Sequence, residues 1–399
     1  METISIYEST LWAGDADLAL TLGFKRPNTS NSIPLTRRPL PSLSVIEAQS
    51  AALMLGRTNT TVLHGVANLV ALRAAECFGC DYVNVWLTDA GQAACASIIA
   101  LLRSGDTVMD VGPRWATSAP EELFGMNVQI VPAGWDIDKA IVNMAEVSAM
   151  ALQHKPKMII AGADGGLRPL DWKALRAIAD SVNAYLVADV SACAALICGR
   201  AWPSPFPHCH VAVLNASSAL MGASGSLLMT SNAELVALLR EGVFICSSSA
   251  PSIHALAGLA AALREASQAS AWAASGVFNA SVLCHRLSCF GVELIACGTS
   301  SHTLAISTRN IKTEPELIAR TLSQLGFAVT PSRLHGPSLW LNVGRVTAFG
   351  FTLKHIFMIA EVLSDVLESI RTLGNLTFEL HERALRRHTA LLRQTTTLI

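Results

Sequence analysis

The stretch HKPKMIIAGADGGLRPLDWKALRAIADSVNAYLVADVSACAALICGRAWPSPFPHCHVAVLNASSALMGASGSLLM (residues 154–229) decides the fold. Met158, Ile159 and Ile160 form a short apolar run that stops at Gly162 and the pair Gly165–Gly166. Leu170, Trp172, Leu175, Ile178, Ala179 and Val182 recur at helical spacing. Tyr185–Val190 and Val211–Leu214 are two further apolar runs. Short apolar runs alternating with helix-period segments are the pattern of βαβ units in a parallel sheet. Such sheets place ligands beyond the carboxyl ends of their strands. Asp189 ends one run and Asn215–Ser218 ends the next, so chemistry is sought at those two places.

Working outward, residues 1–44 read as an N-terminal arm, with Pro27, Pro34, Pro39 and Pro41 favouring an extended path. A large α/β domain is expected over 45–274. Within it, Tyr82–Leu87 and Val108–Gly112 read as strands around a helix at Gly91–Leu102, and a long helix runs from Ser252 to Ala274. A smaller α+β domain is expected over 275–399. Its strands are expected at Val292–Ile295, Thr303–Ser307 and Leu339–Val343, and its helices at Glu314–Leu325 and Phe351–Leu373.

The 399 residues carry a formal net charge of -1 and a pI near 6.8, which gives no electrostatic footprint for nucleic acid. Only 15% are charged and mean hydropathy is +0.41, which points to surface buried against another subunit. No apolar run reaches the ~18 residues of a spanning helix, and the N-terminus lacks a basic segment followed by an apolar one. Ten cysteines scattered among apolar neighbours read as reduced, buried thiols in a cytoplasmic protein. His208-Cys209-His210 and Cys77-x-x-Cys80 have no partner motif, so no metal site is expected. GxGxxG after a strand, GxxxxGK[ST] and HExxH are all absent.

The strings HKPKMII, LDWKALRAIADSVNAYLVADVSA, WPSPFPHCHVAVLN and ALMGASGSLLM resemble the large domain of the serine hydroxymethyltransferase family. The resemblance runs colinearly from about Val45 to about Leu373, through RAAECFGCDYVNV and LLRSGDTVMDVG upstream and SSHTLAIST downstream. It implies pyridoxal-phosphate fold type I: a large domain with a mainly parallel seven-stranded sheet and a small C-terminal α+β domain. It also implies a dimer and a small-molecule substrate.

The family's working residues are largely replaced. Asp189 matches the aspartate that pairs with the cofactor's pyridine nitrogen; a strand-end Asp capping a turn is the alternative. Ser218 stands where the family has the lysine that forms the internal aldimine, and Ser217 where it has the preceding histidine. A hydroxyl cannot form an imine. Thr88-Asp89-Ala90-Gly91 replaces a phosphate-holding turn; Asp89 there would repel a phosphate, or would simply cap the helix. Ser118 takes the place of a ring-stacking histidine, beside Trp115, which could stack on a flat ligand or fill space. Trp340 aligns with the arginine that clamps the substrate carboxylate, Ala192 with a histidine and Leu167 with a serine. The loop LGRTNTTVLHG (55–65) lacks the family's proton-handling glutamate.

These losses spare the strings of the scaffold. The candidate catalytic groups are Asp189, Ser218, Ser217 and Asp89, and the candidate binding groups are Trp115, Ser118, Trp340 and Thr88. Three functions fit. The first is an enzyme that works without pyridoxal phosphate, by one-carbon transfer or aldol-type addition in a specialised biosynthetic pathway. The second is an inactive homologue, a structural or regulatory partner in a homodimer or in a heterodimer with an active relative. The third is residual hydroxymethyltransferase chemistry with non-covalent pyridoxal phosphate. No covalent cofactor is expected, and folate is a candidate ligand.

Overall fold

The computed structural model describes residues 33–35, 42–53, 60–88, 91–112, 122–123, 126–136, 139, 141–162, 166–220, 223–247, 250–268, 270–333, 336–348, 350–373 and 378–395. After two helices, α1 (Leu43–Leu53) and α2 (Thr60–Phe78), the large domain is built on seven strands. These are β1 (Tyr82–Leu87), β2 (Thr107–Val111), β3 (Gln129–Pro132), β4 (Met158–Gly162), β5 (Tyr185–Asp189), β6 (Val211–Asn215) and β7 (Ser226–Thr230). Their order across the sheet is β1-β7-β6-β5-β4-β2-β3. All neighbours are parallel except at β7, which runs antiparallel to both β6 and β1. Helices α3 (Gln92–Leu101), α4 (Met144–His154), α5 (Trp172–Ser181), α6 (Ala194–Cys198), α7 (Ala216–Ala219) and α8 (Leu235–Cys246) intervene.

Alternation explains why the strands are apolar throughout. Met158 and Ile160 pack into the core on one face of the sheet, and Ile159 and Ala161 into the core on the other. A strand buried on both sides has no polar face, because successive side chains point opposite ways. The helices carry their own stop and start signals. Asp171 precedes α5 and accepts the Ala174 N–H at 2.9 Å, while Trp172, Leu175 and Ala179 face inward. Asn143 does the same for α4 through the Glu146 N–H. Such caps satisfy donors that the first helical turn leaves open.

Helices α9 (Ile253–Ser267) and α10 (Ser270–Cys289) lead out of the large domain, so the expected boundary at 274/275 falls inside α10. The C-terminal part holds β8 (Thr303–Ser307), α11 (Pro315–Gln324), β9 (Thr330–Ser332), β10 (Ser338–Asn342), α12 (Gly344–Ala348), α13 (Leu353–Leu373) and α14 (Phe378–Thr395). Three of its strands form an antiparallel sheet in the order β8-β10-β9, while Phe327–Ala328 pairs in parallel with Ile33–Pro34. The strand expected at Val292–Ile295 is not one: only Leu294 bridges to Ile306, and Ile295–Cys297 is a 3-10 turn with Ala296 at φ 61°. Three residues in a tight turn leave no room for a ladder. Of the N-terminal arm, residues 33–35 and 42–44 are described, and Ile33 and Leu35 are buried in the C-terminal core. Seven of the ten cysteines are buried, but Cys289 and Cys297 are exposed, which corrects the expectation of uniformly buried thiols. Among the described residues, no helix is long and apolar enough to cross a membrane.

Candidate active site

Three strand ends meet closely at the carboxyl edge of the sheet. Gly112 follows β2 at φ 156°, and Gly162 ends β4 at φ 120°. A Cβ on Gly112 would come within 2.6 Å of the Gly162 carbonyl oxygen, and one on Gly162 would strike the Asp189 carbonyl oxygen. Only glycine permits both the backbone conformation and this approach. The close spacing brings Asp189, at the end of β5, to the floor of a cavity of about 220 Å³.

The cavity is mostly apolar. Trp135, Trp172 and Trp202 line it together with Leu167, Val142 and Met144. Asp189 is its buried acid, with 9% of the residue exposed. Its Oδ1 accepts the Ser191 N–H at 2.9 Å. Burial, and then the Asp189 charge, push the Cys193 thiol up to about 12, so Cys193 is a neutral part of the lining. Arg168 and Asp171 stand exposed at the rim.

The C-terminal part closes one side. The Leu167 carbonyl accepts from the Ser300 N–H at 2.8 Å and from the Thr299 hydroxyl at 3.1 Å. Arg168 Nη2 donates to the Ala296 carbonyl at 3.0 Å, and Trp202 Nε1 donates to the Ser300 carbonyl at 2.8 Å. Leu167 also packs with Ile295, Ala296, Ala305 and Trp340 in a small buried cluster. The Ala296 carbonyl and the Thr299–Ser300 segment are thus the points at which the C-terminal part is bonded to this wall.

A hydrogen-bonded chain crosses from β5 to β6. The Ser191 hydroxyl accepts the Asn215 N–H at 2.9 Å, and Asn215 Oδ1 accepts from the Ser217 N–H at 3.2 Å and the Ser217 hydroxyl at 2.8 Å. Ser217 is thus tied back to its own strand, and it does not line the cavity. Ser218 falls in the four-residue α7, and its side chain lies outside the described residues. Thr88 sits at the carboxyl end of β1, three strand spacings from β5, or about 14 Å at ~4.8 Å each. Its N–H donates to Gln92 Oε1 at 2.9 Å. Residue Gly91, in the left-handed conformation, occupies the cap position of α3 and makes no side-chain cap bond. Asp89, Trp115 and Ser118 lie outside the described residues. Trp340 is 1% exposed and stands behind Leu167, one layer away from the cavity.

Of the expected groups, then, the cavity itself contains Asp189. It also contains the three indoles, which sequence reasoning missed. The strings LDW and AWP were visible, but nothing in their spacing says that Trp135, Trp172 and Trp202 converge. His210, part of the apparent metal pair, has a structural partner: its Nδ1 accepts the Leu186 N–H at 2.9 Å. Burial lowers its pKa, which suits a neutral acceptor.

The family model for serine hydroxymethyltransferase matches residues 58–336. This chain belongs to the serine hydroxymethyltransferase family. It is 34% identical over 268 residues to a serine hydroxymethyltransferase of Anaplasma marginale (strain Florida), covering 66% of this chain and 62% of that protein. It is 30% identical over 319 residues to one from Bartonella henselae, covering 76% of this chain and 73% of the relative. A Rhodospirillum centenum serine hydroxymethyltransferase is 30% identical over 320 residues, with 76% and 75% covered. The chain thus spans less than two thirds of the Anaplasma protein's length. Membership carries fold type I, and the parallel sheet agrees with it.

The family uses pyridoxal phosphate and folate. Asp189 is the residue that would face the ring nitrogen of pyridoxal phosphate, and an imine would in addition require an amine. The sequence has seven lysines. Lys25 lies outside the described residues; Lys139, Lys155, Lys157, Lys173, Lys312 and Lys354 are all exposed, and none lines the cavity.

Proposed function

We propose that this member of the serine hydroxymethyltransferase family works on a small molecule without holding pyridoxal phosphate as an internal aldimine. The observation that carries this reading is the placement of the lysines. Each described lysine points into solvent, while a serine, Ser218, stands at the end of the β6 segment. The reaction class proposed is one-carbon transfer or an aldol-type addition in a specialised biosynthetic pathway. In it, Asp189 accepts a hydrogen bond from the ligand, and the Ser191–Asn215–Ser217 chain holds the two strand ends in register. Ser218 and Asp89 are the remaining candidate polar groups, Thr88, Trp115, Ser118 and Trp340 the candidate binding groups, and folate the candidate one-carbon carrier. A cytoplasmic setting belongs to the same reading and is supported by the unpaired cysteines.

The test is an absorbance spectrum of the protein with pyridoxal phosphate, with and without glycine or serine, before and after borohydride. No imine band and no fixed adduct are expected. An adduct mapped to any lysine of the chain defeats the reading, and turnover of serine without an adduct would favour non-covalent cofactor chemistry.

A second reading, an inactive partner in a homodimer or a heterodimer, is favoured by exposed apolar side chains. Phe244 is 81% exposed and Ile245 53% near the end of α8, and Leu72 is 65% exposed on α2. Neighbouring exposed apolar side chains such as Phe244 and Ile245 are what an associating surface presents. Sedimentation of the purified chain, alone and with an active relative, separates the two: preferential mixed dimers would support it.

A further inference from the structure

A second hollow, of about 200 Å³, opens in the C-terminal part and shares no lining residue with the cavity at the sheet edge. We infer that it binds a small organic cation: an amine carrying an apolar group of about one ring. The inference goes beyond the reading of the sheet-edge site and does not depend on it. The bottom of the hollow is apolar. Ile306 on β8 and Leu367 on α13 are 0% and 3% exposed, and Val292 and Ile311 pack against the same core. Phe290, directly after α10, also lines it and is 45% exposed. A half-wetted ring beside an apolar hollow offers burial to an apolar group and its face to a cation. The size lies below the usual range of small-molecule pockets, ~300–1,000 Å³, and suits one ring with a short chain.

The charges around this hollow do not balance. Glu368 and Arg371 satisfy each other: Arg371 Nε donates to Glu368 Oε2 at 2.8 Å, and Nη2 donates to Oε1 at 2.7 Å. A guanidinium fork closed in this way has little left for a ligand carboxylate. Glu293 is the other carboxylate of the lining. Its Oε2 accepts from Asn310 Nδ2 at 2.6 Å, which fixes the group without neutralising it. Among the described residues, no cationic side chain forms an ion pair with Glu293. A carboxylate already held in place costs less to order on binding. The hollow also lies just past the C-terminus of α10, whose 20 residues leave partial negative charge at that end. The arginine of its last turn, Arg286, is placed over the Phe357 ring, 4.4 Å from the centroid. An ammonium beside Glu293 answers both negative features, and its apolar group covers Ile306 and Leu367.

The experiment uses three probes of similar outline: phenethylamine, cationic at neutral pH; neutral 2-phenylethanol; and anionic phenylacetate. Binding to the full chain is measured by calorimetry at low ionic strength. Phenethylamine is expected to bind at least about fivefold tighter than either of the others, since an exposed ion pair and a helix end are each worth up to a few-fold. That preference should shrink in high salt. Glu293→Gln keeps an acceptor for the Asn310 amide and removes the charge. It should reduce the preference to within about twofold while 2-phenylethanol binds as before. Phe290→Ala should weaken the amine and the alcohol alike, by about threefold or more, with an unchanged melting temperature. Equal affinity for amine and alcohol, tighter binding of phenylacetate, or no binding by any probe would each overturn the inference. So would a preference for the amine that survives Glu293→Gln, because the cation would then sit elsewhere. The borohydride experiment reads separately: an imine adduct bears on the sheet-edge site and leaves this result as it stands.

Discussion

His302 gives the sharpest test of how the C-terminal part is held together. It lies just before β8, 7% exposed, wedged between α10 and α12. A Cβ on Gly276 would lie 3.5 Å from its Cβ, and one on Gly344 would meet its Cδ2 at 2.9 Å. Its Nδ1 is buried with no hydrogen-bond partner. Burial therefore pushes its pKa down from 6.5 to about 4. The unfolded chain binds the proton first as pH falls, so the neutral imidazole's contribution is whole above pH 6.5 and is lost between pH 6.5 and about 4. At ~1.36 kcal/mol per pH unit, the loss amounts to roughly 3 kcal/mol. Carboxylates elsewhere titrate near the lower end of that window, so the informative quantity is the difference between the wild type and His302→Leu. Leucine fills similar space, has no orphaned nitrogen and cannot charge, so its cost at neutral pH should be small. In urea melts between pH 7 and pH 4 the variant should gain on the wild type by roughly 3 kcal/mol as pH falls. Parallel curves for the two proteins across that range would show that His302 is not held neutral by burial.

Three further outcomes follow from the packing. Gly162→Ala forces a side chain at φ 120° against the Asp189 carbonyl, so a loss of at least about 2 kcal/mol in thermal melts is expected, and a wild-type melt would contradict the strand-end packing. Trp340→Ala removes the buried indole behind Leu167 and should cost about 3–5 kcal/mol in denaturant melts; a change below ~1 kcal/mol would mean that it is not packed as described. In the native protein at neutral pH, Cys289 and Cys297 should react with a maleimide within minutes, while Cys193, its thiol pushed up to about 12, should react only after denaturation; early mass-spectrometric labelling of Cys193 would contradict that burial.

Much of the site lay outside what spacing can express. Asp189 could be picked out because it ends an apolar run, and in a parallel sheet the ends of such runs share one edge. Ser217 could be picked out for the same reason, yet the Asn215 side chain turns its hydroxyl back onto its own strand, a choice made by a rotamer. Trp340 was expected to bind substrate and packs with Leu167 outside the cavity lining; alternation along β10 decides which way each residue faces, and a register error of one residue reverses the side. The cavity's three indoles are separated by loops and helices, and no periodicity links them.

By itself the sequence determined the layers: apolar runs with no polar alternation must be buried on both faces, and helix-period segments between them must cover those faces. It also fixed the number of lysines at seven, none of them in the run from Asn215 to Gly225. Only the tertiary structure decided which polar groups share a space with Asp189. Tertiary contacts set the cavity's walls: the Leu167 carbonyl is fixed by Ser300 from a part of the chain more than a hundred residues away. Contacts of that range depend on how two cores dock, and local pattern carries no record of it.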